Sequence, residues 1–246
     1  MKKGISQVKK KKVLSSAIPN LILSVLLLCV GVLSFAPASS VVETDSEGVE
    51  LYRFGNANSG GVSLMFNVYW GTEETYQILQ ILKQHEAKAT FFIGGSWADD
   101  NVACLQAIVA DGHELGNHGY FHKSHDKLSL VDNTAEIERC NRFVELSTGV
   151  KPILFAPPSG AYGNATLSAC KTLQMKTILW SRDTIDWRDK NSALIYTRAT
   201  KNVKAGELIL MHPMQATVEA LNDILKYYKT QALSVITVSE NLQDKG

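Results

Sequence analysis

From residue 62 onward the chain alternates between short apolar runs and longer stretches of helical periodicity. β-type runs fall at Val62–Tyr69, Ala89–Gly94, Ile153–Ala156, Lys176–Trp180, Glu207–Met211 and Leu233–Val238. Between them, segments 75–85, 102–110, 131–146, 166–173, 192–203 and 218–228 repeat apolar residues three and four apart, the helical spacing. Asn164 and Asn191 are placed as N-caps. Strands joined by helices pair in parallel, through right-handed crossovers. The expected class is therefore α/β. Six or seven such units in about 190 residues point to a barrel, incomplete, more than to an open sheet. In such folds the chemistry gathers at the C-terminal ends of the strands.

The N-terminus reads differently. Residues 1–38 hold six lysines and no acid, and an apolar stretch runs from Val13 to Ala36, interrupted by Pro19 and Asn20. With Ala36-Pro37-Ala38 behind it, this is the pattern of a secretory signal peptide. An uncleaved membrane anchor is the alternative. Leu21–Phe35 falls short of the ~20 residues that span a bilayer, but a segment counted from Val13 does not. Leu28 before Cys29 is too bulky for a lipoprotein processing site. The expected location is the outer side of the bacterial cytoplasmic membrane, secreted or anchored. Residues 39–60 read as a linker and lead-in hairpin, and 61–242 as one catalytic-type domain. Without its basic leader the chain is net acidic, so nucleic-acid binding has no electrostatic support. Any membrane contact is expected through the N-terminal segment alone. Nothing in the sequence fixes an oligomeric state. Cys104, Cys140 and Cys170 each sit in a helical pattern without metal-type spacing and read as buried free thiols, although one disulfide stays open.

Five stretches at strand ends or in the loops after them carry polar chemistry. They are MFNVYWG around Asn67, HGYFH from His118 to His122, FAPPSGAYG at 155–163, WSRDTIDW at 180–187 and LILMHP at 208–213. Four of the six histidines lie between positions 113 and 125. His118 and His122, four apart, could converge on a metal ion, though that spacing also arises by chance. His113 and His125 read as solvated or hydrogen-bonded structural residues. Taken alone, His212 is a core histidine at a strand end, and Asp183 and Asp186 are turn and cap acids.

The order and phrasing of these stretches, together with KATFFIGGSW, DGHELGNHGY and TGVKPILFAPPSGAY, resemble the NodB-homology polysaccharide deacetylases of carbohydrate esterase family 4. The likeness spans residues 60–240 and is nearest to the sporulation-type branch, whose first motif also reads Trp-Gly after the strand. The resemblance implies a distorted, incomplete (β/α) barrel. It also implies a divalent metal, commonly zinc, and removal of acetyl groups from the N-acetylated sugars of peptidoglycan or chitin-like polymers. On that pattern His118 and His122 are metal ligands, His212 is the general acid and Asp183 the acid that tunes it. Trp187, Pro157 and Pro158 match groove walls. Tyr69, Trp70 and Tyr120 are further aromatics able to stack on sugar faces.

The departures are equally specific. Asn67 stands where the resemblance implies the general base, Val68 where it implies a metal aspartate, Ala156 for an arginine that orients the base, and Ser159 for a tyrosine. An amide takes up no proton at useful pH, and loss of a general base costs roughly 10²- to 10⁴-fold in rate. Catalytic zinc usually has three protein ligands, and the matched positions supply two. Asn67 could add a weak neutral oxygen. An arginine facing an amide would be an unpaired, partly buried cation, so loss of both members is coherent. Two functions follow: a deacetylase with weakened or altered activity, whose metal binding is weak or absent if two histidines are insufficient, or an inactive glycan-binding or regulatory cell-wall protein.

Overall fold

The computed structural model describes residues 42–44 and 50–243, so the N-terminal leader lies outside the described residues. Eight strands run in parallel and curl into an open half-barrel. In spatial order they are β2 (Glu50–Tyr52), β7 (Lys176–Ile178), β6 (Leu154–Phe155), β5 (Glu114–Asn117), β4 (Thr90–Ile93), β3 (Gly61–Val68), β9 (Leu208–Met211) and β8 (Arg182–Asp183). A short β1 (Val42–Thr44) pairs antiparallel with β2, and β10 (Ser234–Val235) pairs in parallel with the start of β3. The helices are α1 (Thr72–Gln84), α2 (Gly95–Asp100), α3 (Val102–Ala110), α4 (Leu130–Thr148), α5 (Asn164–Thr172), α6 (Asp186–Asp189), α7 (Ser192–Thr200), α8 (Gln215–Thr230) and α9 (Val238–Asn241). None of the described helices is long and apolar enough to cross a membrane.

β3 lies between β4 and β9 and is buried along its whole length. The two-residue period of a strand sends its side chains to opposite faces. Leu64, Phe66 and Val68 pack outward with Ile78, Leu79 and Leu82 of α1 and Leu221 and Ile224 of α8. Met65 faces the barrel interior with Phe92, Leu154, Ala156, Ile178 and Leu208. A strand covered on both faces is apolar on both, which is why β3 reads as a continuous run and not as an alternation.

Some boundaries depart from the sequence pattern. β5 is a strand where the spacing marked only a histidine-bearing loop. Its apolar content is low, and it is held by register with β4, Thr90 opposite Glu114 through Ile93 opposite Asn117. Gly116 lets the Phe92 ring lie against the strand, since a Cβ there would come within 2.4 Å of that ring. The predicted run Leu233–Val238 keeps only Ser234–Val235 as strand. Thr237 and Glu240 then form a reciprocal capping box that starts α9. Asn191 caps α7 as expected, accepting from Leu194 N at 3.0 Å, whereas Gly163, not Asn164, stands at the cap of α5. Cys104, Cys140 and Cys170 are buried free thiols in α3, α4 and α5.

Candidate active-site cleft

The five stretches meet at the C-terminal edge of the sheet. Asn67, Trp70, His118, His122, Ser159, Trp180, Asp183, Trp187, Leu210 and His212 line a cleft of about 370 Å³. The five stretches that supply them come from the ends of different strands or from the loops behind those ends, the arrangement that parallel β/α folds impose.

The histidine loop is strapped to the sheet and to α4. The backbone N–H of His118 donates to Ile93 O at 2.8 Å, extending the β4–β5 ladder. The Asn117 side chain accepts from Gly119 N at 2.7 Å and donates to Ile137 O and Asn141 Oδ1 on α4. Glu136 of α4 accepts from Phe121 N at 2.9 Å and pairs with Lys123 at 3.0 Å. The chain then turns through a left-handed His122, φ 53°, which sets the His122 ring 5.1 Å from that of His118. His118 Nδ1 donates to the Ala156 carbonyl at 2.7 Å. That bond fixes the tautomer and leaves Nε2 with a free lone pair. Burial, reinforced by His122, pushes the His118 pKa well below the usual imidazole value. The other two histidines of the cluster are structural. His113 accepts from Ala89 N at 3.2 Å, and His125 is paired with Asn133 Oδ1 at 2.6 Å beneath the loop.

Asn67 is 3 % exposed, and its Oδ1 has no hydrogen-bond partner. A buried carbonyl oxygen left unpaired is costly, and the position is one a ligand would relieve. The fit to a divalent metal is nevertheless incomplete. Two imidazoles and one neutral oxygen leave a zinc site without its usual anionic or third strong ligand. Among the described residues no group of three His, Cys, Asp or Glu side chains could hold a metal ion. Val68 supplies no substitute, because its fully buried side chain packs in the outer core with Phe66. Ala156 is likewise fully buried and faces the barrel interior.

On the acid side the structure corrects the sequence reading. The carboxylate that holds His212 is Asp186, not Asp183. Asp186 is fully buried and accepts four hydrogen bonds, from His212 Nδ1 at 2.8 Å, His212 N at 2.6 Å, Thr217 Oγ1 at 2.7 Å and Trp187 N at 2.9 Å. The reason is local backbone. Ile185 takes a left-handed conformation, φ 53°, and reverses the chain so that Asp186 turns inward. Asp183 lines the cleft, and its Oδ1 accepts from Ile185 N at 2.8 Å. With Nδ1 donating to Asp186, the His212 ring presents Nε2 and stacks on Trp70, centroids 5.6 Å apart and planes 5° from parallel.

The aromatic assignments divide. Trp70 and Trp187 line the cleft and are 39 % and 49 % exposed. Tyr69 instead packs behind His122, ring centroids 4.6 Å apart, and Tyr120 is buried with Arg139 over its ring. Pro157 and Pro158 are buried as well, and their turn offers Ser159 to the cleft in their place. The turn works through a left-handed Ser159, φ 56°, which lifts that side chain out while the prolines pack inward. Trp180 escaped the sequence reading. It lies two residues beyond Ile178 and therefore shares its inward face, a two-residue period that could have found it.

Comparison with known proteins agrees with this architecture. The family model described as polysaccharide deacetylase matches residues 55–178. An uncharacterized protein of Bacillus subtilis, YlxY, is 37 % identical over 77 % of this chain, which spans 60 % of that protein's length. A peptidoglycan-N-acetylglucosamine deacetylase of Bacillus cereus is 33 % identical, covering 71 % of this chain and 85 % of the relative. Among solved structures, a carbohydrate esterase family 4 pseudoenzyme from Bacillus anthracis superposes with a TM-score of 0.76 at 36 % identity, covering 78 % of this chain and 69 % of that one. A mutant of that pseudoenzyme with restored enzymatic activity gives the same TM-score at 34 % identity, covering 78 % and 71 %. The chain belongs to the polysaccharide deacetylase family, carbohydrate esterase family 4.

Proposed function

We propose that this protein engages peptidoglycan-type glycan of the cell wall in the cleft, and that its hydrolysis of N-acetyl groups is weakened by the amide at the base position. One observation carries the reading. The acid half of the site is intact in the His212–Asp186 pair, while the position beside the two cleft imidazoles holds Asn67 with an unpartnered oxygen. His118 and His122 are the residues that would hold a divalent ion, which would supply Lewis-acid polarisation of an acetamide carbonyl. His212 Nε2 faces the cleft where a leaving amine would take a proton, with Asp186 fixing the ring and balancing a charge on it. Trp70, Trp180 and Trp187 offer faces for sugar rings. At the position where the resemblance implies the group that takes the proton of the attacking water, this chain holds an amide, Asn67. The second reading, a glycan binder without turnover, is favoured by the missing third ligand and by likeness to a pseudoenzyme. The leader of residues 1–38 supports action outside the cytoplasmic membrane, secreted or anchored, and sequencing the N-terminus of the mature protein tests this.

The decisive measurement is acetate release from N-acetylglucosamine oligomers by the native chain and by Asn67→Asp, alongside oligomer binding. The variant is expected to raise release by about 10²-fold, the low end of a general base's contribution. A folded variant that binds glycan and releases no more acetate than the native chain would leave glycan binding as the function.

A further inference from the structure

Correcting the role of Asp183 leaves a carboxylate in the cleft with nothing to do for His212. Among the described residues it is the one Asp or Glu lining the cleft, and no described lysine or arginine lines it. The neighbouring cations are engaged elsewhere. Arg182 turns away to Glu207 and to the carbonyls of Lys201 and Asn202. Arg188 and Arg198 both pair with Asp189, and Arg188 acts on Asp183 only through its charge, with no ion pair between them. Asp183 Oδ1 takes one backbone N–H, and the half-buried carboxylate still faces the cleft. Trp70, Trp180 and Trp187 line the same cleft, and indole faces attract cations as well as sugar faces. At position 156, where family resemblance implies an arginine, the side chain is alanine, so that position brings no guanidinium into the cleft. A neutral acetamide gains little from such a carboxylate. A protonated amine on a sugar ring gains a charge-assisted hydrogen bond, in a cleft whose wall is rich in indole.

We propose that the cleft prefers the de-N-acetylated form of the glycan, an amino sugar bearing a protonated amine, with Asp183 as the carboxylate that receives it. The proposal rests on the reading of this cleft as a cell-wall glycan site and deepens it. The protein then reads the product of deacetylation, and a reaction that removes acetyl groups from the same polymer must supply its ligand.

The test is calorimetric titration of the full chain with two probes at near-neutral pH, the β-1,4 tetramer of glucosamine and that of N-acetylglucosamine. The glucosamine tetramer is expected to bind at least tenfold tighter. Asp183→Asn, which retains an acceptor for Ile185 N, should collapse the ratio to about one. Raising the ionic strength should narrow it with no variant at all. Equal binding of both tetramers, tighter binding of the acetylated one, or a ratio indifferent to both Asp183→Asn and salt overturns the proposal while leaving glycan binding in place. Binding of neither tetramer overturns both.

Discussion

Asp186 shows how much one side chain decides here. Its carboxylate answers two donors of His212, one of Thr217 and one of Trp187 from a site with no solvent access. Asp186→Asn keeps one oxygen but puts an NH₂ group against donors that need an acceptor. The expected loss is about 3 kcal/mol of stability in urea unfolding, with the His212 ring resonances shifted in NMR spectra. Asp183 and Asp186 lie three apart in one motif, and on a regular helix or strand either could be the inward acid. Only the left-handed Ile185 between them settles the choice, and no local pattern announces a left-handed isoleucine. Asn67 is the opposite case. Its type and its place at the end of an apolar run were plain in the sequence, and so was the chemistry an amide cannot do.

At the scale of elements, the turns after strands matter more than the strands. Gly71 opens α1 at φ 74°, and a Cβ there would come within 2.2 Å of the Pro213 carbonyl in the loop that carries His212. Gly71→Ala therefore both strains the backbone and pushes the β3–α1 turn off the β9–α8 turn. We expect a loss of about 2–3 kcal/mol, read as a lower midpoint of thermal unfolding, together with weaker glycan binding. α3, α4 and α5 bury their thiols, and burial pushes Cys104 up to about 11 and Cys140 and Cys170 up to about 12. A maleimide at neutral pH should leave all three unmodified until denaturant is added, as mass spectrometry would show. The six longer helices were legible because their apolar residues repeat at helical spacing, whereas the short α2, α6 and α9 carry too few turns to show a stripe. β5 was not, because a strand of Glu-Leu-Gly-Asn is specified by its neighbours' backbone and by the Phe92 ring, not by its own composition.

For the whole molecule, the buried imidazoles set the response to pH. Burial lowers His113 from 6.5 to about 4, and burial lowers His118, His122 and His125 as well. The unfolded chain takes up these protons near pH 6.5 and the folded chain does not. Stability is therefore fully present above pH 6.5 and is lost as the pH falls from 6.5 towards 4, on the order of 3 kcal/mol for His113 alone. Unfolding midpoints should drop steeply across that interval and stay flat from pH 7 to 8. A chain equally stable at pH 4.5 and 7 would contradict the burial of these groups.

By itself the amino-acid sequence determined the parallel α/β order, the five stretches at the strand ends, the three helical thiols and the replacement of a base by an amide. These are properties of periodicity and residue type, which act along the chain over a few residues. The tertiary structure alone decided that Asp186 holds His212 and Asp183 faces the cleft. It also buried Tyr120, Pro157 and Pro158 while Ser159 lines the wall. Such outcomes depend on which way a side chain points after a loop reverses, and on what arrives from another strand tens of residues away. Neither quantity has a signature in local spacing.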